Sequence, residues 1–295
     1  MNRIYRMRKI PKQGYWPTEQ RNLPGAVAAY DGRSMTLSGS DITTWRDYCG
    51  NHDLTAAGGA EPTAYVEASM NNKQCASFLS SDVMTSATLY NLLDANAAYT
   101  MYFAVQFERT ETSGTATQAY LFHHEHDANN FEYIRVNRHG TGPYTYSVLG
   151  YKKANGVVRN TMYIQNLAGR ELSSDKFYIC ICNKTSGGAI AYVNDLTTND
   201  DAANWNDATY NVSGTVYIGS DSSGAIPSAG PLAGMWLYDQ QHTTAQIQSM
   251  YSWLQSQFGP IGTPMQSMRG CVGVWEAAGG TVTGSGYSEL ANEAP

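Results

Sequence analysis

Thr100-Met-Tyr-Phe-Ala-Val-Gln-Phe-Glu108 decides the fold class. Met101, Phe103, Val105 and Phe107 alternate with Thr100, Tyr102, Ala104, Gln106 and Glu108. That is the period of a half-buried strand, with one face in a core and the other toward solvent. Phe177, Ile179 and Ile181 alternate in the same way with Tyr178, Cys180 and Cys182. Further strands are predicted at Phe131–Arg138, Tyr144–Gly150, Ala189–Val193, Thr215–Gly219 and Leu232–Tyr238. Turn clusters such as Ser186-Gly187-Gly188 and Asp221-Ser222-Ser223-Gly224 separate them. Many short strands at this spacing predict an all-β sandwich or barrel.

One helix is predicted, at Thr243–Phe258. Ile247, Met250, Tyr251, Leu254 and Phe258 fall at helical spacing and make one apolar stripe. Thr243 and Gln246 suit a capping box, and Gly259-Pro260 is a stop signal. The segment contains no charged residue. Trp253, about 100° around the helix from Leu254, is expected off the stripe beside Gln246, Ser249, Ser256 and Gln257. It is therefore assigned to docking a partner.

Composition narrows the class. Of 295 residues only 15% are charged, against about 25% in an average soluble domain. Hydrophobic content is 42%, and 21 residues are Tyr. Neutral polar groups must cover the surface. Disorder is excluded, because it needs low hydrophobicity and strong charge, and the length suits one large all-β domain. No run of about 18 uncharged apolar residues exists, so no membrane insertion is expected. The opening MNRIYRMRKIPK has no apolar stretch behind its basic residues, so no secretory signal is expected either. Cys49, Cys75, Cys180, Cys182 and Cys271 are odd in number, and Cys180 and Cys182 share one face of a strand. They are expected as reduced, mostly buried thiols.

Three zones follow. Residues 1–24 carry Arg3, Arg6, Arg8, Lys9, Lys12 and Arg21 against Glu19, a net of +5, in a chain whose total is −6. A basic arm thus precedes an acidic body (25–259), and Arg3, Arg6, Arg8, Lys9 and Lys12 are assigned to docking on an acidic surface. The Gly-rich tail (260–295) contains Val272-Gly273-Val274-Trp275. Val274 and Trp275 are assigned to a neighbouring molecule, because an exposed apolar clump is unfavourable. Tyr richness with low charge matches interface composition, so a homo-oligomer is expected.

The body resembles the laminin-G/concanavalin-A-like jelly rolls found in phage structural proteins. The resemblance rests on Ala29-Tyr30-Asp31-Gly32, Leu37-Ser38-Gly39-Ser40, Trp45-Arg46-Asp47 and Gly50-Asn51-His52-Asp53-Leu54-Thr55. Pro62-Thr63, Tyr65, Phe78, Ala191-Tyr192-Val193-Asn194-Asp195 and Val216-Tyr217-Ile218-Gly219-Ser220 extend it, with Leu232–Asp239 and the helix as closing elements. It implies a jelly-roll β-sandwich with one C-terminal helix and extended terminal arms. It also implies a non-enzymatic virion protein (capsid decoration, head fibre or tail component). Such a protein would be made in a host cytoplasm and bound to other virion proteins, as a trimer by analogy. The alternative is a carbohydrate-binding module for host surface glycans; a glycoside hydrolase or lyase ranks below both, because the fold alone does not fix function.

Within the body, Trp45 is expected in the core, and Asp47 is expected to accept from the Cys49–Asp53 turn. His123-His124-Glu125-His126-Asp127 is the strongest ligand-type cluster. On a strand, His124 and His126 would share a face and could hold zinc with Asp127 or Asp82, but polar residues at a strand end are the preferred reading. Asp195, Asn199, Asp200 and Asp201 offer oxygens for calcium, again against a preferred reading as a solvated loop. No cofactor is expected. The paired-acid string of glycosidases on this fold is missing, Glu108, Glu111 and Glu132 standing apart. Tyr144, Tyr146, Tyr151, Trp205 and Tyr210 offer a glycan platform, with amides such as Asn204 and Asn206 for sugar hydroxyls, against a preferred reading as ordinary packing or subunit contact.

Overall fold

A computed structural model describes residues 25–78, 81–89, 98–106, 118–139, 145–158, 162–164, 176–183, 188–196, 199–202, 213–222 and 231–260. The strands are β1 (Ala26–Asp31), β2 (Met35–Ser38), β3 (Asp41–Trp45), β4 (Leu54–Ala56), β5 (Thr63–Glu67) and β6 (Lys73–Ser77). Next come β7 (Met84–Ser86), β8 (Tyr99–Gln106), β9 (Gln118–Asp127), β10 (Asn130–His139), β11 (Thr145–Ala154) and β12 (Val157–Val158). The chain continues with β13 (Met162–Ile164), β14 (Lys176–Asn183), β15 (Ala189–Val193), β16 (Asn199–Ala202), β17 (Thr215–Ile218) and β18 (Pro231–Tyr238), and closes with helix α1 (Thr244–Phe258).

Two antiparallel layers result. The first runs β16-β15-β14-β8-β18-β1. The second runs β4-β7-β17-β9-β10-β11-β13. Pairing of β18 with β6, then β6 with β5, β5 with β3 and β3 with β4, carries the hydrogen bonding from one layer into the other. This is the all-β jelly-roll sandwich expected from the sequence.

Met101, Phe103 and Val105 of β8 meet Phe122, Ile134 and Val148 of the second layer in the sandwich core. The opposite face of β8 is not solvated, contrary to the half-buried reading. Tyr102 and Ala104 join Tyr178, Trp236 and Tyr238 under α1 in a second core. The alternation was right and its interpretation was not, because a helix covers the outer face.

The helix forms as expected. Thr243 N–H donates to Gln246 Oε1 at 2.8 Å, and Gln246 N–H donates back to Thr243 Oγ1 at 3.3 Å. Trp253, however, is buried with the stripe, its ring 5.4 Å from Trp236 and 6.3 Å from Phe258. Residues three apart on a helix are neighbours, and Trp253 is three after Met250. It packs α1 onto the first layer with the stripe instead of projecting off it.

The opening segment is held as expected. Trp45 is fully buried and donates its indole N–H to Asp31 O at 2.8 Å. Asp47 accepts from Ala29 and Cys49 N–H on one oxygen and from Asn51 and His52 N–H on the other, with Gly50 at φ 83° in the turn. Asn194, at φ 67°, accepts from Tyr178 N–H through its side chain at 2.8 Å and ends the β14–β15 hairpin. Residues 199–202 are a strand, β16, paired with β15. The acidic loop imagined as a calcium ligand set is therefore not a loop.

Cys75, Cys180 and Cys182 are buried reduced thiols and Cys49 is a partly buried one. Burial pushes the Cys49 and Cys75 thiols up to about 12, which leaves them protonated and unreactive near neutrality.

Candidate ligand-binding face

Side chains alternate between the faces of a strand, so the ladder fixes which residues line up. Tyr217 of β17 stands opposite His123 of β9, His123 opposite Tyr133 of β10, and Tyr133 opposite Tyr151 of β11. Four ring side chains thus form one row across four strands on the outer face of the second layer. Strands lie about 4.8 Å apart, so the row is about 14 Å long. Phe131 and Lys153 sit in the next row with Glu125.

The rings touch. Tyr133 and Tyr151 are stacked at 5.1 Å, Phe131 and Tyr151 at 5.6 Å, and Phe131 and Tyr133 at 6.2 Å. His123 lies 5.8 Å from Tyr217 and 6.1 Å from Tyr133. Each such contact contributes about 0.5–1.5 kcal/mol beyond burial. The Arg135 guanidinium rests 5.0 Å from the Tyr133 ring and 5.7 Å from that of Tyr120. Lys153 Nζ lies 5.8 Å from the Phe131 ring and donates to Ala128 O at 2.9 Å.

A β-bulge builds part of this face. Ile134 pairs with Phe122, but the next residue, Arg135, pairs with Tyr120, which skips Leu121. Tyr120 and His123 therefore share the outer face, 5.6 Å apart, while Leu121 and Phe122 both enter the core.

Phe131, Tyr133, Arg135, Tyr151 and Tyr217 are all partly exposed. The turn at 220–222 folds onto this face, Ser222 N–H donating to His123 Nδ1 at 3.2 Å. That bond leaves the ring proton on Nε2, 3.9 Å from Glu125 Oε2. Burial lowers the His123 pKa from its usual 6.5, so the ring is neutral near pH 7. Burial raises Tyr133 to about 12, and its hydroxyl stays protonated.

The same strands carry a different row inside. Val216 faces His124, His124 faces Glu132, and Glu132 faces Lys152. The last two are almost wholly buried and lie 3.9 Å apart, Nζ to Oε2. Tyr99 donates to Glu132 Oε1 at 2.5 Å. Desolvation raises the Glu132 pKa against the opposing pull of Lys152 and Tyr99. The zinc reading needed His124 and His126 together. His124 is fully buried, whereas His126 is at the rim, hydrogen-bonded to Ser213. Among the described residues no three such groups are placed to hold a metal.

Trp253 and Phe258 also line a small open cleft beside Arg33 and Lys73. Arg33 there is clamped by Asp31 through several hydrogen bonds.

Of the residues assigned from sequence, the structure brings Tyr151 into the row. Tyr146 pairs with Arg138 in the β10–β11 ladder. The remaining candidates, Arg3, Arg6, Arg8, Lys9, Lys12, Tyr144, Trp205, Asn206, Val274 and Trp275, lie outside the described residues. Phe131, Tyr133 and Tyr217 were missed, and His123 was read only as part of the histidine cluster. The usable signal was Phe131-x-Tyr133-x-Arg135, an aromatic-rich face at strand period inside a strand already predicted.

No protein-family model matches the sequence, and no curated protein matches it. Solved structures do match. A botulinum neurotoxin type C structure, described in terms of cell entry through two ganglioside molecules, aligns at TM-score 0.56 with 10% identity over 78% of this chain. The serotype D binding domain aligns at TM-score 0.56 with 11% identity, also over 78% of this chain. A botulinum neurotoxin DC binding domain in complex with SialylT aligns at TM-score 0.51 with 11% identity over the same share. This chain spans about half of each of them, 51%, 52% and 52% respectively. At these identities the likeness establishes the fold: this chain is a β-sandwich of the kind these binding domains contain.

Proposed function

We propose that this protein binds carbohydrate, and that the ligand lies across the row Tyr217–His123–Tyr133–Tyr151. The observation that carries the proposal is the row itself. Three partly exposed tyrosines, with the buried His123 between Tyr217 and Tyr133, are packed side by side on four strands. Ring edges and faces supply apolar contact for sugar C–H groups. Tyrosine hydroxyls and the Arg135 guanidinium supply hydrogen bonds. Arg135 and Lys153 are offset by Glu125 and Asp221, so the face suits neutral sugars rather than polyanions. The described neighbours add a class-level argument, since their names concern binding, gangliosides and SialylT.

A glycan array probed with the full chain tests this, followed by titration calorimetry on the hits. Tyr133→Ala and Tyr151→Ala should each weaken binding at least tenfold. A wild-type protein that binds no glycan, or variants that bind as well as it does, would overturn the proposal. Display on a virion, drawn from the sequence resemblance, is proposed as the setting of that binding. Its test is stoichiometric co-purification with intact particles.

A further inference from the structure

The histidine-rich stretch of β9 ends in an arrangement that glycan binding does not use. Ser213 Oγ and His126 Nδ1 are 2.9 Å apart, and His126 Nε2 is 3.5 Å from Asp127 Oδ2. Asp127 is itself fixed, accepting from Asn129 N–H at 2.7 Å and from Asn130 Nδ2 at 3.0 Å. A hydroxyl, an imidazole and an oriented carboxylate stand in sequence. Such a constellation is recognised by geometry and not by chain order. With the ring proton on Nε2 facing Asp127, Nδ1 is the acceptor for the serine proton. The two nitrogens exchange the roles they hold in the serine-protease triad.

The backbone seats Ser213 deliberately. Gly214 follows it at φ 142°, and a Cβ at position 214 would lie 2.2 Å from Glu125 O. Only glycine allows the start of β17 to approach β9 this closely, and that approach sets Ser213 on His126. Thr215, two residues on, pairs with Glu125, which pairs with Phe131. The three groups therefore lie next to the Glu125–Phe131 pair at the end of β9, and His126 and Asp127 are accessible at the surface.

We infer that Ser213, His126 and Asp127 form an acyl-transfer site for esters of small acyl groups such as acetyl. Ser213 Oγ attacks the ester carbonyl carbon while His126 Nδ1 takes the hydroxyl proton. The tetrahedral adduct collapses, the C–O bond to the alcohol breaks, and His126 returns the proton to the departing alkoxide oxygen. Water then attacks the acyl-serine with His126 as base, which releases the carboxylic acid and restores the Ser213 hydroxyl. Asp127 stabilises the imidazolium in both halves. An open rim suits a small acyl group better than a long chain, which needs an apolar pocket.

The test uses the full chain. Incubation with a fluorophosphonate probe, followed by peptide mass spectrometry, should place one adduct on Ser213, and His126→Gln should abolish it. Hydrolysis of p-nitrophenyl acetate should fall at least tenfold in Ser213→Ala and in His126→Gln. Base catalysis by a positioned side chain contributes on the order of 10²–10⁴. Absence of an adduct on Ser213, or hydrolysis unchanged in Ser213→Ala, overturns the inference. Both substitutions are at the surface, and a thermal melt verifies that the fold is kept. Glycan binding should be unaltered in Ser213→Ala, so failure here and failure of the glycan proposal are told apart.

Discussion

The two layers of the sandwich carry similar aromatic side chains on their outer faces and treat them in opposite ways. On the first layer Tyr102, Tyr178 and Tyr238 are buried beneath α1, and their hydroxyls are committed. Tyr102 meets His242 Nδ1 at 2.8 Å, and Tyr178 donates to Gly259 O at 2.5 Å. On the second layer Tyr133, Tyr151 and Tyr217 are partly exposed, and no described helix lies over them. Tyrosine content is therefore no guide to role. What distinguishes the two sets is whether a helix packs over them.

The contrast can be broken most forcefully from the covered side. Trp253→Ala removes a buried ring from between α1 and Trp236 and should cost about 3–5 kcal/mol, read by urea denaturation. A cost below about 1 kcal/mol would mean the helix is not a true cover. Next in size is Tyr102→Phe, which leaves buried His242 without its hydroxyl partner. It should cost about 1–3 kcal/mol, whereas Tyr217→Phe on the open face should leave stability unchanged within about 0.5 kcal/mol.

A double-mutant cycle on the open face comes third. Tyr133→Ala with Tyr151→Ala should show coupling of about 0.5–1.5 kcal/mol in stability. The same variants should have their main effect on glycan binding. The smallest effect is in pH. His123 has a lowered folded pKa, so between that value and the usual 6.5 the unfolded chain binds the proton that the folded one refuses. Stability is thus fully present above about pH 6.5 and falls on acidification below it. His123→Phe should flatten that slope in thermal melts taken across the range.

Legibility followed the range of the interactions. The α1 boundaries were readable because a capping box and a Gly-Pro stop are local. The β15 span was readable because a short apolar alternation between turns admits one reading. Trp253 was misplaced although its spacing from Met250 was visible, because the stripe was drawn one column too narrow. Burial of both faces of β8 was not readable in β8 at all, since the cover lies about 150 residues later in the chain. The aromatic row needed four segments in register, and a bulge that no local pattern announces. Ser213 and His126 are likewise 87 residues apart and meet only through the β9–β17 pairing.

That bulge has a consequence for how the chain finds its partner strands. The two halves of β9 present their apolar side chains in opposite phase, and Leu121-Phe122 is the hinge between phases. A one-residue slide of β9 along β10 would turn its core-facing side chains toward the outer face. Alternating strands are ordinarily prone to near-degenerate mispairing when both faces are similar. Here the residue skipped between Tyr120 and Phe122 ties the β9–β10 register to the alignment in which both side chains are covered.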